Sequence, residues 1–219
     1  MSKRKSIHSY NTNDFYIDTY SRPEVHKVML QDQVRTKIYQ QALSSQSLNL
    51  YNKTVLDIGC GTGILSLFAA DAGAKHVVGV DISAMVEIAR ENVINNGFEN
   101  KISVFRGRVE DFIEKGGFEV VIENRNGNKK EKVFLDKFDV IVSEWMGYAL
   151  IYEGMLDSVV QAREAFLKEN GVMLPDKANL YWGWVSTRSN HGPKKSSDAQ
   201  IPKKPPPHTS QPTTTSQNT

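Results

Sequence analysis

The stretch Val55-Leu56-Asp57-Ile58-Gly59-Cys60-Gly61-Thr62-Gly63 constrains this 219-residue chain more than any other. Residues suited to a buried strand run straight into three glycines at alternate positions, and a helix-forming apolar run begins at Ile64. Glycines allow a backbone to approach a ligand closely. A strand, a tight turn and a helix in that order therefore predict an α/β domain with a nucleotide-like ligand on the turn.

The flanking pattern extends this reading. Residues 64–72 form a helix stretch, 76–80 a second strand, 84–95 another helix, 102–105 a third strand and 138–142 a fourth. This alternation predicts a Rossmann-like α/β class I fold with a mainly parallel sheet. An insertion at about 116–137 interrupts it, where 118–123 and 132–135 flank Asn126-Gly127 and read as a β-hairpin. Upstream, Ser21-Arg22-Pro23-Glu24 has capping-box spacing, and His26, Met29, Leu30, Val34 and Ile38 recur at helical intervals, giving an amphipathic helix of roughly four turns. Before it, the aromatic run Asp14-Phe15-Tyr16-Ile17-Asp18-Thr19-Tyr20 is either a packed lead-in or a flap over a site. Residues 178–185 read as one more strand. The expected organisation is a flexible 1–13, one domain over 14–185, and a disordered Ser/Pro/Lys-rich tail over 186–219 containing Lys203-Lys204-Pro205-Pro206-Pro207.

Composition narrows the function classes. Cys60 is the one cysteine, so an internal disulfide framework and a cysteine-based zinc site are excluded, and no metal site is expected. No apolar run is long enough to span a bilayer, and residues 1–10 are polar, so a membrane partner is not expected and a cytoplasmic or nuclear setting, or both, is. Of the 27 Lys/Arg and 25 Asp/Glu, five and one lie in 186–219, so residues 1–185 carry 22 against 24. A net −2 there argues against direct nucleic-acid binding.

The ligand class follows from charge. A dinucleotide fingerprint needs a small residue at position 64, where this chain has Ile64, and uses the helix start for a pyrophosphate. Asp57 beside the first glycine would repel a pyrophosphate but suits a ligand with an ammonium and a sulfonium, as S-adenosylmethionine has. Asp81, about 20 residues on, stands where a carboxylate accepts from ribose hydroxyls, a feature that a nicotinamide dinucleotide site shares. Glu110 is either an acceptor for an adenine amino group or a surface carboxylate.

The second informative segment is Ser143-Glu144-Trp145-Met146-Gly147-Tyr148-Ala149-Leu150-Ile151-Tyr152-Glu153, leaving the fourth strand. Two glutamates nine residues apart in an aromatic and apolar stretch could fold back so that both face one pocket, or could be satisfied separately at a strand end and a helix start. If they converge, like charges in low dielectric need a cation between them. A guanidinium, planar, always charged and forked, matches two carboxylates.

Phe15-Tyr16-Ile17-Asp18-Thr19-Tyr20, Met29-Leu30-Gln31-Asp32-Gln33-Val34-Arg35-Thr36, residues 55–63 and residues 143–153 together resemble type I protein arginine methyltransferases, over about 14–185. The resemblance implies S-adenosylmethionine on Gly59, Gly61 and Gly63, Asp81 at the ribose, Glu110 near adenine, Arg35 on the donor carboxylate, and His26 and Met29 beside the reacting end. It implies Glu144 and Glu153 as the catalytic pair, with Tyr16, Tyr20, Trp145 and Met146 on the substrate side. Implied partners are arginine-containing proteins such as histones or Arg/Gly-rich RNA-binding proteins. Members of that family continue into a β-barrel carrying a histidine loop; here nothing maps to that loop, and Asp32, its usual partner, is left without one. A truncated, weakly active or inactive cofactor-binding module that associates with a full-length relative is the alternative reading. Methylation of a nucleic-acid base is a third, disfavoured because no Asn/Asp-Pro-Pro-Tyr-like motif follows the fourth strand.

Overall fold

The computed structural model describes residues 19–123 and 130–183. In chain order the elements are α1 (Pro23–Gln31), α2 (Gln33–Leu43), β1 (Thr54–Ile58), α3 (Ile64–Asp71), β2 (His76–Asp81), α4 (Met85–Asn95), β3 (Ile102–Arg106), α5 (Val109–Glu114), β4 (Phe118–Glu123), β5 (Lys130–Leu135), β6 (Phe138–Val142), α6 (Met155–Phe166) and β7 (Leu167–Leu174). Five strands pair in the order β3-β2-β1-β6-β7, every pairing parallel, while β4 and β5 form a separate antiparallel pair. Tyr39, the insertion and the double-glutamate segment all lie in one compact unit ending at Leu180; Tyr181-Trp182-Gly183, the described start of a second, carries no helix or strand.

All five residues of β1 are buried, as a central strand with both faces covered requires. Alternation along the strands then divides the core. Leu56 and Ile58 join Val78, Val80 and Ile141 on one face, against Val109, Phe112, Val159 and Phe166 of α5 and α6. Val55 joins Val77, Val140 and Val142 on the other, against Leu65, Ala69 and Val93 of α3 and α4. Phe118 fastens the hairpin to the first core: it is 1% exposed, with ring centroids 4.7 Å from Phe112, 5.3 Å from Phe166 and 5.8 Å from Phe138. The chain order reverses between β1 and β6, and that switch point opens a crevice at the carboxyl ends of the strands.

Three sequence expectations change. The single four-turn helix is two helices, because Asp32 leaves helical geometry (φ −70°, ψ 89°) and its carboxylate caps the second by accepting from Val34 N and Arg35 N at 3.1 Å. The Ser21 capping box does not form: Arg22 is the N-cap without a side-chain bond, and Ser21 Oγ accepts from Ala84 N instead. The last strand is Leu167–Leu174, and the described residues of 178–185 are not a strand. The strand at 167 lies at the edge of the sheet and is only partly buried, and its first half is the exposed polar stretch Lys168-Glu169-Asn170, which hides it from the apolar pattern. Residues 1–13, Tyr16, the Asn126-Gly127 turn and the 186–219 tail lie outside the described residues.

Candidate active site

The glycine turn is built by the strand it leaves. Gly59 N and Cys60 N donate to Val80 O at 2.8 and 3.0 Å, and Gly63 N donates to Cys60 O at 2.7 Å, closing the turn against β2. Gly61 adopts φ +51°, and a Cβ there would stand 2.9 Å from His26 Cε1, so the imidazole occupies the space that glycine leaves. Gly59 has φ +72° and carries the Met155 methyl against its face. Gly63 serves the packing of α3 against α4 and does not line the cavity, since a Cβ there would meet Ala89 Cβ at 3.3 Å.

Over the turn lies a cavity of about 800 Å³, within the roughly 300–1,000 Å³ range usual for small-molecule sites. Its wall includes Gly59, Gly61, His26, Met29, Arg35, Asp81, Glu110, Glu144, Met146, Glu153 and Tyr20. Four carboxylates (Asp81, Glu110, Glu144 and Glu153) face it against two guanidiniums (Arg35 and Arg108), so the space favours cationic groups. Asp81 closes β2 and braces the turn: its Oδ2 accepts from Gly61 N at 2.8 Å and its Oδ1 from Ser83 N and Oγ at 2.8 and 2.6 Å.

The double-glutamate segment folds back as its spacing allowed. Gly147 and Leu150 exchange backbone hydrogen bonds of 3.2 and 3.0 Å, with Ala149 and Leu150 at φ +49° and +71°, a conformation that costs non-glycine residues about 1 kcal/mol or more each. This tight hairpin returns the chain so that Glu153 packs over Gly147 and reaches the same cavity as Glu144. Tyr20 Oη donates to Glu153 Oε2 at 2.8 Å, and Arg35 Nη1 donates to Glu144 Oε2 at 2.9 Å. Burial pushes the Glu144 carboxyl above its ordinary value; the Arg35 charge and hydrogen bond oppose this, and the neighbouring Glu153 charge adds to it.

Several predicted residues stand elsewhere than expected. Trp145 is 7% exposed and packs in the phenylalanine-rich core, away from the cavity wall that its neighbours Glu144 and Met146 line. Asp57 does not reach the cavity wall. It is fully buried beneath the turn, with Oδ2 accepting from Ser66 Oγ at 2.7 Å and Oδ1 without a partner among the described residues, and burial raises its carboxyl to about 7. Arg35 lines the cavity, but its guanidinium is turned to Glu144, with Asp32 3.7 Å from Nε. Asp32 is thus occupied as a helix cap and not left idle.

Sequence reasoning missed Tyr39, Met155 and Ser158. Tyr39 lines the cavity and donates to Ser143 O at 3.0 Å, while Ser143 Oγ donates to Ile58 O at 2.8 Å, so the residue preceding Glu144 is pinned to both α2 and β1. Burial, with the nearby Glu144 and Asp57 charges, holds the Tyr39 phenol well above its ordinary value. The available signal was spacing: Tyr39 follows Arg35 by four residues on a helix, and Met155 and Ser158 stand three apart just after Glu153.

A parallel sheet with a glycine turn at the switch point, facing an acidic cavity, defines a methyltransferase-type domain. The family model for ribosomal protein L11 methyltransferase (PrmA) matches residues 35–171, and the chain belongs to that methyltransferase family. The curated relatives that the chain resembles carry the name protein arginine N-methyltransferase. It is 44% identical to protein arginine N-methyltransferase 1 of Dictyostelium discoideum over 177 residues, 81% of this chain and 46% of that protein. It is 43% identical to the Saccharomyces cerevisiae protein of the same name over 166 residues, 76% of this chain and 42% of that one. Among solved structures it is similar to a Trypanosoma brucei protein arginine methyltransferase 1 enzyme-prozyme heterotetrameric complex with AdoHcy, with TM-score 0.61, 41% identity, and coverage of 72% of this chain and 44% of that one. Protein arginine methyltransferase 10 of Arabidopsis thaliana, in an open conformation, gives TM-score 0.60 at 39% identity over 73% of this chain and 40% of that one. The chain spans less than half the length of these relatives.

Proposed function

We propose that this chain is the catalytic half of a protein-arginine methyltransferase, moving a methyl group from S-adenosylmethionine to arginine in proteins such as histones or Arg/Gly-rich RNA-binding proteins, in the cytoplasm, the nucleus or both. The observation that carries the reading is the convergence of Glu144 and Glu153 on one cavity floored by Gly59 and Gly61. The residues fit the donor: a cavity of about 800 Å³ lies over the backbone of Gly59 and Gly61, and Asp81 and Glu110 offer acceptors along the strand ends. S-adenosylmethionine, when bound, supplies a methyl carbon made electrophilic by its sulfonium.

The chain's own residues do the rest by placement. Gly59 and Gly61 let the donor lie against the backbone, Asp81 and Glu110 hold its ribose and base, and Met29 and His26 close over it. Glu144 and Glu153 accept hydrogen bonds from the substrate guanidinium, fix its plane and keep electron density on the nitrogen left facing the methyl group. That a guanidinium suits Glu144 is supported by Arg35, which already donates to Oε2 at 2.9 Å. The test is transfer of a labelled methyl group to a Gly-Arg-rich peptide. The full chain should label the peptide, and incorporation no higher than with a Glu144→Gln variant would reject the proposal.

A second reading is favoured by one observation: the Trypanosoma neighbour is an enzyme-prozyme complex. On it, this chain binds the donor with little or no turnover and associates with a full-length relative. Donor binding by calorimetry without transfer, together with co-elution with such a relative, separates this reading from the first.

A further inference from the structure

The hairpin of β4 and β5 stands apart from the five-stranded sheet, and one of its faces is committed to the core. Phe118 and Val120 are almost fully buried, and Ile122, Val133 and Leu135 pack against the same cluster. Side chains alternate along a strand, so Glu119 and Val121 of β4 and Lys132 and Phe134 of β5 take the other face. There Phe134 is 56% and Val121 46% exposed, and Lys132 Nζ donates to Glu119 Oε1 at 2.7 Å.

The edges of the hairpin are open as well. β4 and β5 bond to each other, and among the described residues no backbone group of either bonds to a third strand. β5 is the more accessible of the two: each residue from Lys130 to Leu135 is exposed or half-buried, whereas β4 contains the buried Phe118 and Val120. Its outer N–H and C=O groups therefore offer a template for one more strand. The charges along β5 decide which strand that is. Two copies of β5 paired antiparallel about a two-fold axis set each residue opposite its mirror position, on the same face. Centred on Glu131 the pair sets Lys130 against Lys132, and centred on Lys132 it sets that lysine against itself, which like charges directly opposite disfavour. Centred on Val133 it leaves each Phe134 facing a lysine. Centred on Phe134 it sets Lys132 against Asp136 at both ends, Val133 against Leu135 on the apolar face, and the two exposed rings against each other. Lys132 keeps its bond to Glu119 in this register, since an ammonium has three protons to donate.

We propose that β5 is a docking edge for a second copy of this chain, the two strands pairing antiparallel about Phe134 so that the hairpins join into one four-stranded sheet. Main-chain hydrogen bonds supply the attraction, and the Lys132–Asp136 pairs select the register and the partner. A strand of six residues makes a small interface, so the dimer is weak, with a dissociation constant of about 10–100 µM. It depends on neither the donor nor the reaction proposed above.

Sedimentation velocity on the full chain, at concentrations on both sides of that range, tests this. The wild type should pass from monomer to dimer as concentration rises. Lys132→Asp, which sets acid against acid, and Asp136→Lys, which sets lysine against lysine, should each weaken the dimer at least about 10-fold. Mixing these two variants brings opposite charges together again across the axis and should return a heterodimer of near wild-type affinity, a result that misfolding of either chain could not produce. Phe134→Ser should weaken the dimer by a similar factor. A wild-type chain that stays monomeric throughout, a dimer indifferent to all three substitutions, or a mixture of the two charge variants that remains monomeric overturns the inference.

Discussion

Asp57 and Glu144 are two carboxylates that burial pushes in the same direction for different ends. Among the described residues, Asp57 has one bonded and one unpartnered oxygen under the glycine turn, and its carboxyl titrates near 7 against an ordinary 3.8. Below about pH 4 it is protonated whether the chain is folded or not and costs nothing. Between about pH 4 and 7 the unfolded chain ionises this carboxyl while the folded chain keeps it protonated, so stability falls across that window and levels off above 7. Asp57→Asn should therefore melt higher than wild type at pH 8, by up to about 4 kcal/mol of stability, with the gap closing towards pH 4. Thermal melts across that range check this, and a gap independent of pH would contradict it. Gly61→Val should abolish S-adenosylhomocysteine binding, because the new side chain meets the His26 ring and must adopt φ +51°. Calorimetric affinity within a few-fold of wild type would show that the turn does not floor the donor site.

Two elements place the site: the hairpin between the glutamates and the Phe118-anchored β4–β5 pair that covers the core behind them. Phe118→Ala leaves a void among Phe112, Phe138 and Phe166 and should cost about 3–5 kcal/mol in denaturant unfolding. A cost under 1 kcal/mol would mean that the insertion is not fastened there. At this scale the strand, glycine-turn and helix units were legible, because β1, β2 and β6 lie in the middle of the sheet and carry short apolar runs such as Val55-Leu56, Val77-Val78 and Val140-Ile141-Val142. β7 was not, since this edge strand is polar and exposed over Lys168-Glu169-Asn170. The break at Asp32 was hidden because both helices keep one apolar spacing across it. The convergence of Glu144 and Glu153 was legible only as one of two options, since spacing does not specify a turn with Ala149 and Leu150 at positive φ. The directions of Trp145 and Asp57 were not legible at all, because which face an alternating residue takes is decided by what packs beside the sheet.

For the whole molecule, the same loop that bears the glutamates also exposes Ile151 at 63% and Tyr152 at 80%. Apolar side chains held outward next to a cavity favour association. Ile151→Ser combined with Tyr152→Ser should reduce concentration-dependent self-association in light scattering, and an unchanged scattering profile would show that the loop does not mediate it. No helix among the described residues is long and apolar enough to cross a membrane. The measurement that bears most directly on the reading as a whole is titration of an arginine-containing peptide into the chain saturated with S-adenosylhomocysteine. The wild type should bind that peptide at least 10-fold more tightly than its lysine counterpart, and Glu144→Gln and Glu153→Gln should each erase the difference while donor affinity stays within a few-fold. Arginine and lysine peptides bound equally, or a preference that survives both substitutions, would contradict the account.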